Sequence, residues 1–338
     1  MLELKNDSLV FSFPDVHPAA QLRITFQRTL RIPDDGRTYP LPPGLGEFPL
    51  RHIDDFEQTV PASWLSRGGV IMPMYQSEAM WLHFQSDYIE NQGQYPFVVK
   101  IATGKINAVS GMPWKQDLNR QPQDYLAIPT QPWLDGYCVE KGVIRQFVAM
   151  PLGQGFSAEE QITGHAEFGG LQIMACPMKR AAFEKHFPIQ EHSFTRKCAS
   201  SMDFLCEADG GDSSMGLAPG GQMRQEIYED PYQLKEWDVT ESSRCFVHLA
   251  NSEAWRSITG KNPPTRPVTA KDYTKAGLPW FEYYGDPACT VEGSKILNGL
   301  KSVAEKLSGK SELSDNESVS PKKIIVCPKD DSVRDGEF

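Results

Sequence analysis

Apolar and polar side chains alternate with a period of two along residues 22–32 (LRITFQRTLRI), the pattern of a half-buried strand. Short runs rich in β-branched and aromatic residues recur at 69–75, 79–84, 95–102, 105–109, 125–128, 143–150, 171–176 and 244–249, and each predicts a further strand. Residues 33–49 hold five prolines and three glycines. Proline has no amide to donate to a ladder, so this stretch predicts an extended loop.

Helical punctuation begins later. Ser157 stands three residues before Glu160, the spacing of a capping box, and Gly164 ends the short helix that would follow. Residues 178–187 are Ala-rich, carry Lys185 and His186 in a last turn and stop before Pro188. Asn251 opens a helix that closes near Gly260, and Thr269 opens one that closes at Gly277. Ile296, Leu297, Leu300, Val303, Ala304 and Leu307 follow the helical period, which predicts one longer amphipathic helix over 294–307.

Many short strands with few helices, and no regular strand–helix alternation, point to an α+β protein. Its body is expected to be mainly antiparallel, sandwich- or barrel-like, with several short helices and the longer C-terminal one. The expected organisation is a strand-rich part over 1–206, a Gly/Asp-rich loop over 207–222, and an α+β part over 223–308 packed on the first. A mobile polar tail would follow over 309–338, in which 324–327 either adds a short strand or stays loose.

Charge narrows the partners. With 34 basic and 44 acidic residues the chain carries −10, and no block of Lys and Arg is interleaved with aromatics. Such a surface repels phosphate backbones and anionic lipid headgroups, so neither nucleic acid nor a membrane surface is the expected partner. No apolar run approaches the roughly 18 residues that span a bilayer, and the first residues lack the pattern of a signal peptide. The seven cysteines are scattered and form no C-x-x-C pair, which fits free thiols in a reducing compartment. The expected location is cytoplasmic.

Three stretches, QPWLDGYCVEKGVIRQF (131–147), GGQMRQEIYED (220–230) and TAKDYTKAGLPWF (269–281), resemble a mostly bacterial family of uncharacterised proteins. The similarity extends over most of residues 20–308. It supplies no catalytic residues, so the chemistry has to come from the residues themselves.

Two constellations stand out. His165 and Glu167 lie two apart before a strand-like run, and in a strand they would share a face. With His248 from the 244–249 strand they would make a two-His, one-carboxylate site for a divalent ion, iron or manganese. Arg256 would then hold an anionic co-substrate. The structural alternative is a surface turn, since Gly164, Gly169 and Gly170 flank the pair.

The second constellation is Arg224, Glu226, Tyr228 and Asp230. On an extended segment the first three share one face, and a partly buried ion pair beside a tyrosine can move protons. The alternative is a structural ion-pair network.

The loop 207–222 offers Glu207, Asp209 and Asp212 as oxygen ligands and several glycines as an anion nest, but it fits neither an EF-hand nor a P-loop. A plain linker is the expectation. No G-x-S-x-G elbow is present, and Cys176 in an apolar strand predicts an inert thiol.

The function expected from these features is an enzyme acting on a small molecule. The alternatives are a non-catalytic ligand-binding or scaffold protein and a subunit of a larger assembly.

Overall fold

The structure, a computed structural model, describes residues 1–189, 214–283, 289–307, 321 and 323–327. Seventeen strands join one sheet. Its backbone is an antiparallel run in the order Leu2–Lys5, Ser8–Ser12, Gln21–Thr29, Ala79–Ser86, Val143–Pro151, Ser214–Arg224, Ser243–Ala250, Leu171–Pro177, Phe97–Thr103 and Leu126–Ile128. Within this sheet, among the described residues, parallel pairing is confined to short attachments. Thr38–Tyr39 lies beside Ser214–Arg224, and Val70–Pro73 lies beside Ser243–Ala250. The α+β, mainly antiparallel expectation holds.

The expected linker is the largest correction. Ser214–Arg224 is an eleven-residue strand in the middle of this run, bonded to Val143–Pro151 on one side and to Ser243–Ala250 on the other. Composition misled because the glycines here serve the sheet. The pairing slips between Arg145 and Phe147, so Gly220 and Gly221 both stand opposite Gln146. At Gly221 a β-carbon would come within 2.3 Å of the Pro33 carbonyl oxygen, so only glycine allows that approach. Gln146, fully buried, fills the gap with its amide, which accepts from the Ile32 N–H at 3.1 Å and donates to the Leu30 carbonyl at 2.9 Å. Glu207, Asp209 and Asp212 lie outside the described residues.

One hydrophobic core runs across the expected domain boundary. It takes Phe11, Phe26, Phe97 and Phe147 from the first half together with Ile227, Trp237, Leu249 and Leu297 from the second. Each such side chain contributes about 1.5–3 kcal/mol on burial. A smaller cluster joins Leu30, Ile32, Leu41 and Ile144 to Tyr273 and Trp280 and holds the 270–283 segment against the sheet.

The short helices sit where their caps place them. Ser157 and Glu160 form the expected capping box around Ala158–Thr163. Asn251 caps Ser252–Thr259, Thr269 caps Ala270–Ala276, and Gly260 and Gly277 end them in the left-handed conformation. The single amphipathic helix over 294–307 is corrected to two, Lys295–Asn298 and Val303–Leu307. Gly299 weakens the joint, and Ser302 with Glu305 makes a capping box that starts the helix afresh. Ile296 is consequently exposed.

Of the tail, Ile324–Cys327 is a strand, paired parallel to Trp280–Tyr283. No helix of the described residues is long and apolar enough to cross a membrane.

Candidate functional site

The segment after the Ser214–Arg224 strand stays extended but leaves the ladder. Its backbone groups therefore need other partners; the side chains of Gln131 and Gln123 supply three of them, and the segment's own Gln225 serves the Asp135 backbone in turn. Gln225 accepts from the Asp135 N–H at 3.0 Å, Gln131 accepts from the Tyr228 N–H at 3.0 Å, and Gln123 donates to the Tyr228 carbonyl and accepts from the Asp230 N–H. An isolated bridge joins Tyr228 to Thr290. In this extended run Ile227 is buried in the core, while Arg224, Glu226 and Tyr228 face a hollow of about 490 Å³ that the buried Gln225 also lines. The sequence expectation that these three share a face is met.

The hollow holds one ion pair and one hydrogen-bonded couple. Arg224 reaches Glu282 at 3.3 Å, and the Tyr228 hydroxyl donates to Glu226 at 3.3 Å. Trp133 forms part of the wall. Asp230 is not part of this face. Its carboxylate is buried on the far side, where it accepts from the Tyr125 hydroxyl at 2.8 Å, from Trp237 Nε1 at 2.8 Å and from the Tyr232 N–H. The alternation breaks after Tyr228, so Asp230 belongs to a structural network. That network, with burial as the first cause, pushes the Tyr125 hydroxyl upward.

Asp135 lies next to this hollow and was not singled out from sequence. It joins the strands Trp133–Leu134 and Gly136–Glu140. A second recess of about 200 Å³ has Asp135 in its wall, with Trp81, Phe281, Leu41 and Trp133. Leu41 and Trp133 also wall the larger hollow, so the two share a partition. The Asp135 side chain is 3% exposed. Its Oδ2 accepts from Gln225 Nε2 at 2.8 Å. Burial pushes the carboxyl up to about 7, against the smaller opposing effect of that hydrogen bond. Gly136 fixes the position, because a β-carbon there would stand 2.0 Å from the Arg145 carbonyl oxygen. The available sequence signal was a carboxylate set between Leu134 and Gly136 in an otherwise apolar run.

The expected three-ligand metal site does not assemble, although Glu167 and His248 both line one recess of about 240 Å³. Residues 165–170 form a loop between Ala158–Thr163 and Leu171–Pro177, so the same-face argument for His165 and Glu167 loses its strand. His165 is exposed, with its N–H on the Thr163 hydroxyl. The loop is shaped instead by the buried Glu159, whose carboxylate accepts from the N–H groups of Glu167, Phe168 and Gly169.

His248 is a core residue. Its ring stacks between Trp64 and Phe246, with centroids at 4.8 and 4.4 Å, and Nε2 donates to the Gly68 carbonyl at 3.0 Å. Among the described residues no group of three or more His, Cys, Asp or Glu comes together to hold a metal ion. Arg256, placed as the co-substrate anchor, lies exposed on Ser252–Thr259 and donates to Asn262 at 2.7 Å, a cap-side surface contact.

His248 yields a direct prediction. Burial is the main cause that lowers its imidazole from 6.5 to about 4. In a pH titration followed by nitrogen-edited NMR it should stay neutral, with the proton on Nε2, through pH 5.5. A midpoint above pH 6 would contradict this packing.

The buried thiols behave as the sequence implied for Cys176. Burial pushes Cys138, Cys176 and Cys245 up to about 12, far from a thiolate at neutral pH. Two buried ion pairs, Arg28–Glu78 and Lys100–Asp124, line neither recess.

No family model, no curated protein and no solved structure matches this chain.

Proposed function

We propose that the chain is an enzyme that moves a proton on a small, largely apolar molecule bound at Trp133, with Asp135 as the group that exchanges it. One observation carries this reading: a carboxyl group held near neutrality by burial forms part of the wall of an aromatic recess. A general acid–base catalyst works best when its pKa is near the operating pH, and perturbed carboxyl groups cluster at functional sites. Gln225 holds Asp135 in place through both of its amide atoms: Nε2 donates to the carboxyl and Oε1 accepts from the backbone N–H. Tyr228 and Glu226, across the partition, form a hydroxyl–carboxylate couple able to relay a proton. Arg224, tied to Glu282, shapes the mouth of the larger hollow.

A thermal-shift screen of metabolite-sized compounds against the wild type and Trp133→Ala tests the site. Compounds that stabilise only the wild type are the substrate candidates, since filling a preformed pocket stabilises the folded state. Asp135→Asn should bind them within about threefold of the wild type and convert them about 10²–10⁴ times more slowly, the usual span for losing an acid–base group. Conversion by Asp135→Asn at the wild-type rate would remove the proposal. Binding without conversion by either protein would point to a ligand-binding protein instead.

A further inference from the structure

The charge balance of the larger hollow indicates what it receives. Among the described residues, three acidic or basic side chains line it: Arg224, Glu226 and Glu282. Two carboxylates against one guanidinium leave one surplus negative charge. Arg224 is engaged by Glu282 at 3.3 Å, so an incoming anion would have to compete with that pair and would also face Glu226. No lysine or histidine lines either recess among the described residues. The whole chain, at −10, adds to the same bias.

Aromatic walls push in the same direction. Trp133 and Tyr228 line the larger hollow, and Trp81 and Phe281 line the smaller one. The face of an aromatic ring carries negative quadrupolar charge and attracts an ammonium group. The smaller recess is apolar apart from Asp135. At about 200 Å³ it has room for a six-membered ring, because an apolar cavity of roughly 150 Å³ is enough for benzene.

We infer that the ligand of the Trp133 cleft is a small organic cation, an amine whose ammonium group sits by Glu226 and whose apolar or aryl part lodges against Trp81 and Phe281. This rests on the cleft being the functional site. Glu226 is the specificity-determining charge, and the proposed ligand reaches past Trp133, which lines both adjoining recesses.

A matched pair of probes separates the two claims. 2-Phenylethylammonium and 3-phenylpropionate share an aryl-ethyl skeleton and carry opposite charge at neutral pH. Titration calorimetry on the full chain at low salt should show the ammonium compound binding at least tenfold more tightly. Glu226→Gln should weaken the cation about tenfold and leave the carboxylate unchanged or improved, while Trp133→Ala should weaken the cation as well. A carboxylate that binds more tightly than the amine, and loses that binding in Trp133→Ala, would overturn the cation inference and leave the site standing. Cation affinity unchanged in Glu226→Gln would also overturn it. Failure of both probes to bind, or binding insensitive to Trp133→Ala, would remove the cation inference and the site together.

Discussion

Replacing Asp135 by asparagine is expected to make the protein more stable than the wild type at pH 8, by on the order of 4 kcal/mol, with little difference near pH 4. The folded carboxyl titrates at about 7 against an ordinary 3.8. Between those values the folded state binds the proton more readily than the unfolded chain, so wild-type stability from this group falls as pH rises. The slope reaches about 1.4 kcal/mol per pH unit. Asparagine keeps the shape and the Gln225 contact and cannot ionise.

His248 acts with the opposite sign. Its folded value, about 4, lies below its ordinary 6.5, so the unfolded chain binds its proton first and stability is lost as pH falls through that window. The wild-type curve therefore combines two opposed slopes, and the difference between variant and wild type isolates Asp135. Urea unfolding at pH 5, 6.5 and 8 measures it. A constant difference across the three would show that Asp135 is not held in its neutral form.

The second large effect is expected at Arg28. Its Nε and Nη2 both donate to Glu78 Oε1 at 3.2 Å, and the Arg266 carbonyl takes a further bond. Both side chains of the pair are less than 5% exposed. Glu78 Oε2 accepts the Tyr75 N–H at 3.0 Å and so holds the turn before Ala79–Ser86.

Arg28→Met leaves a buried carboxylate without its counter-charge, a change that costs about 3–5 kcal/mol. Burial already raises the Glu78 carboxyl. Without Arg28 it rises further, so the loss should shrink as pH falls and the group protonates. The double variant Arg28→Met, Glu78→Gln should recover most of the stability, and the mutant cycle gives the coupling. An Arg28→Met protein within 1 kcal/mol of wild type at pH 8 would show that the pair carries little of the fold.

Legibility from sequence follows the range of the interaction. Caps are local, and Ser157, Asn251 and Thr269 were readable because each acts within four residues. The common face of Arg224, Glu226 and Tyr228 was readable because extended backbone alternates whatever it pairs with. The Ser214–Arg224 strand was not. Its Gly220 and Gly221 look like linker residues until Gln146 and Pro33 stand beside them, and those neighbours are remote in sequence.

Asp135 was hidden for the same reason, since the residues that surround it, Gln225 on its carboxyl and Trp81 and Phe281 in the wall of its recess, are far apart in the chain. His248 shows the converse. A histidine in a strand looks like a ligand until the stacking of Trp64 and Phe246 accounts for it.

The pairing of Ile324–Cys327 with Trp280–Tyr283 has a practical corollary for anyone shortening the protein. Phe281 and Glu282 belong to the clipped strand, and each contributes to a wall of the cleft. The Trp280 N–H bonds to the Lys323 carbonyl at 2.8 Å. Trimming the polar C-terminal stretch before Lys323, to aid crystallisation or attach a tag, would strip one edge from that strand and slacken the grip on whatever the cleft holds. A truncated preparation that unfolds normally yet has lost affinity would be a symptom of where the cut was made.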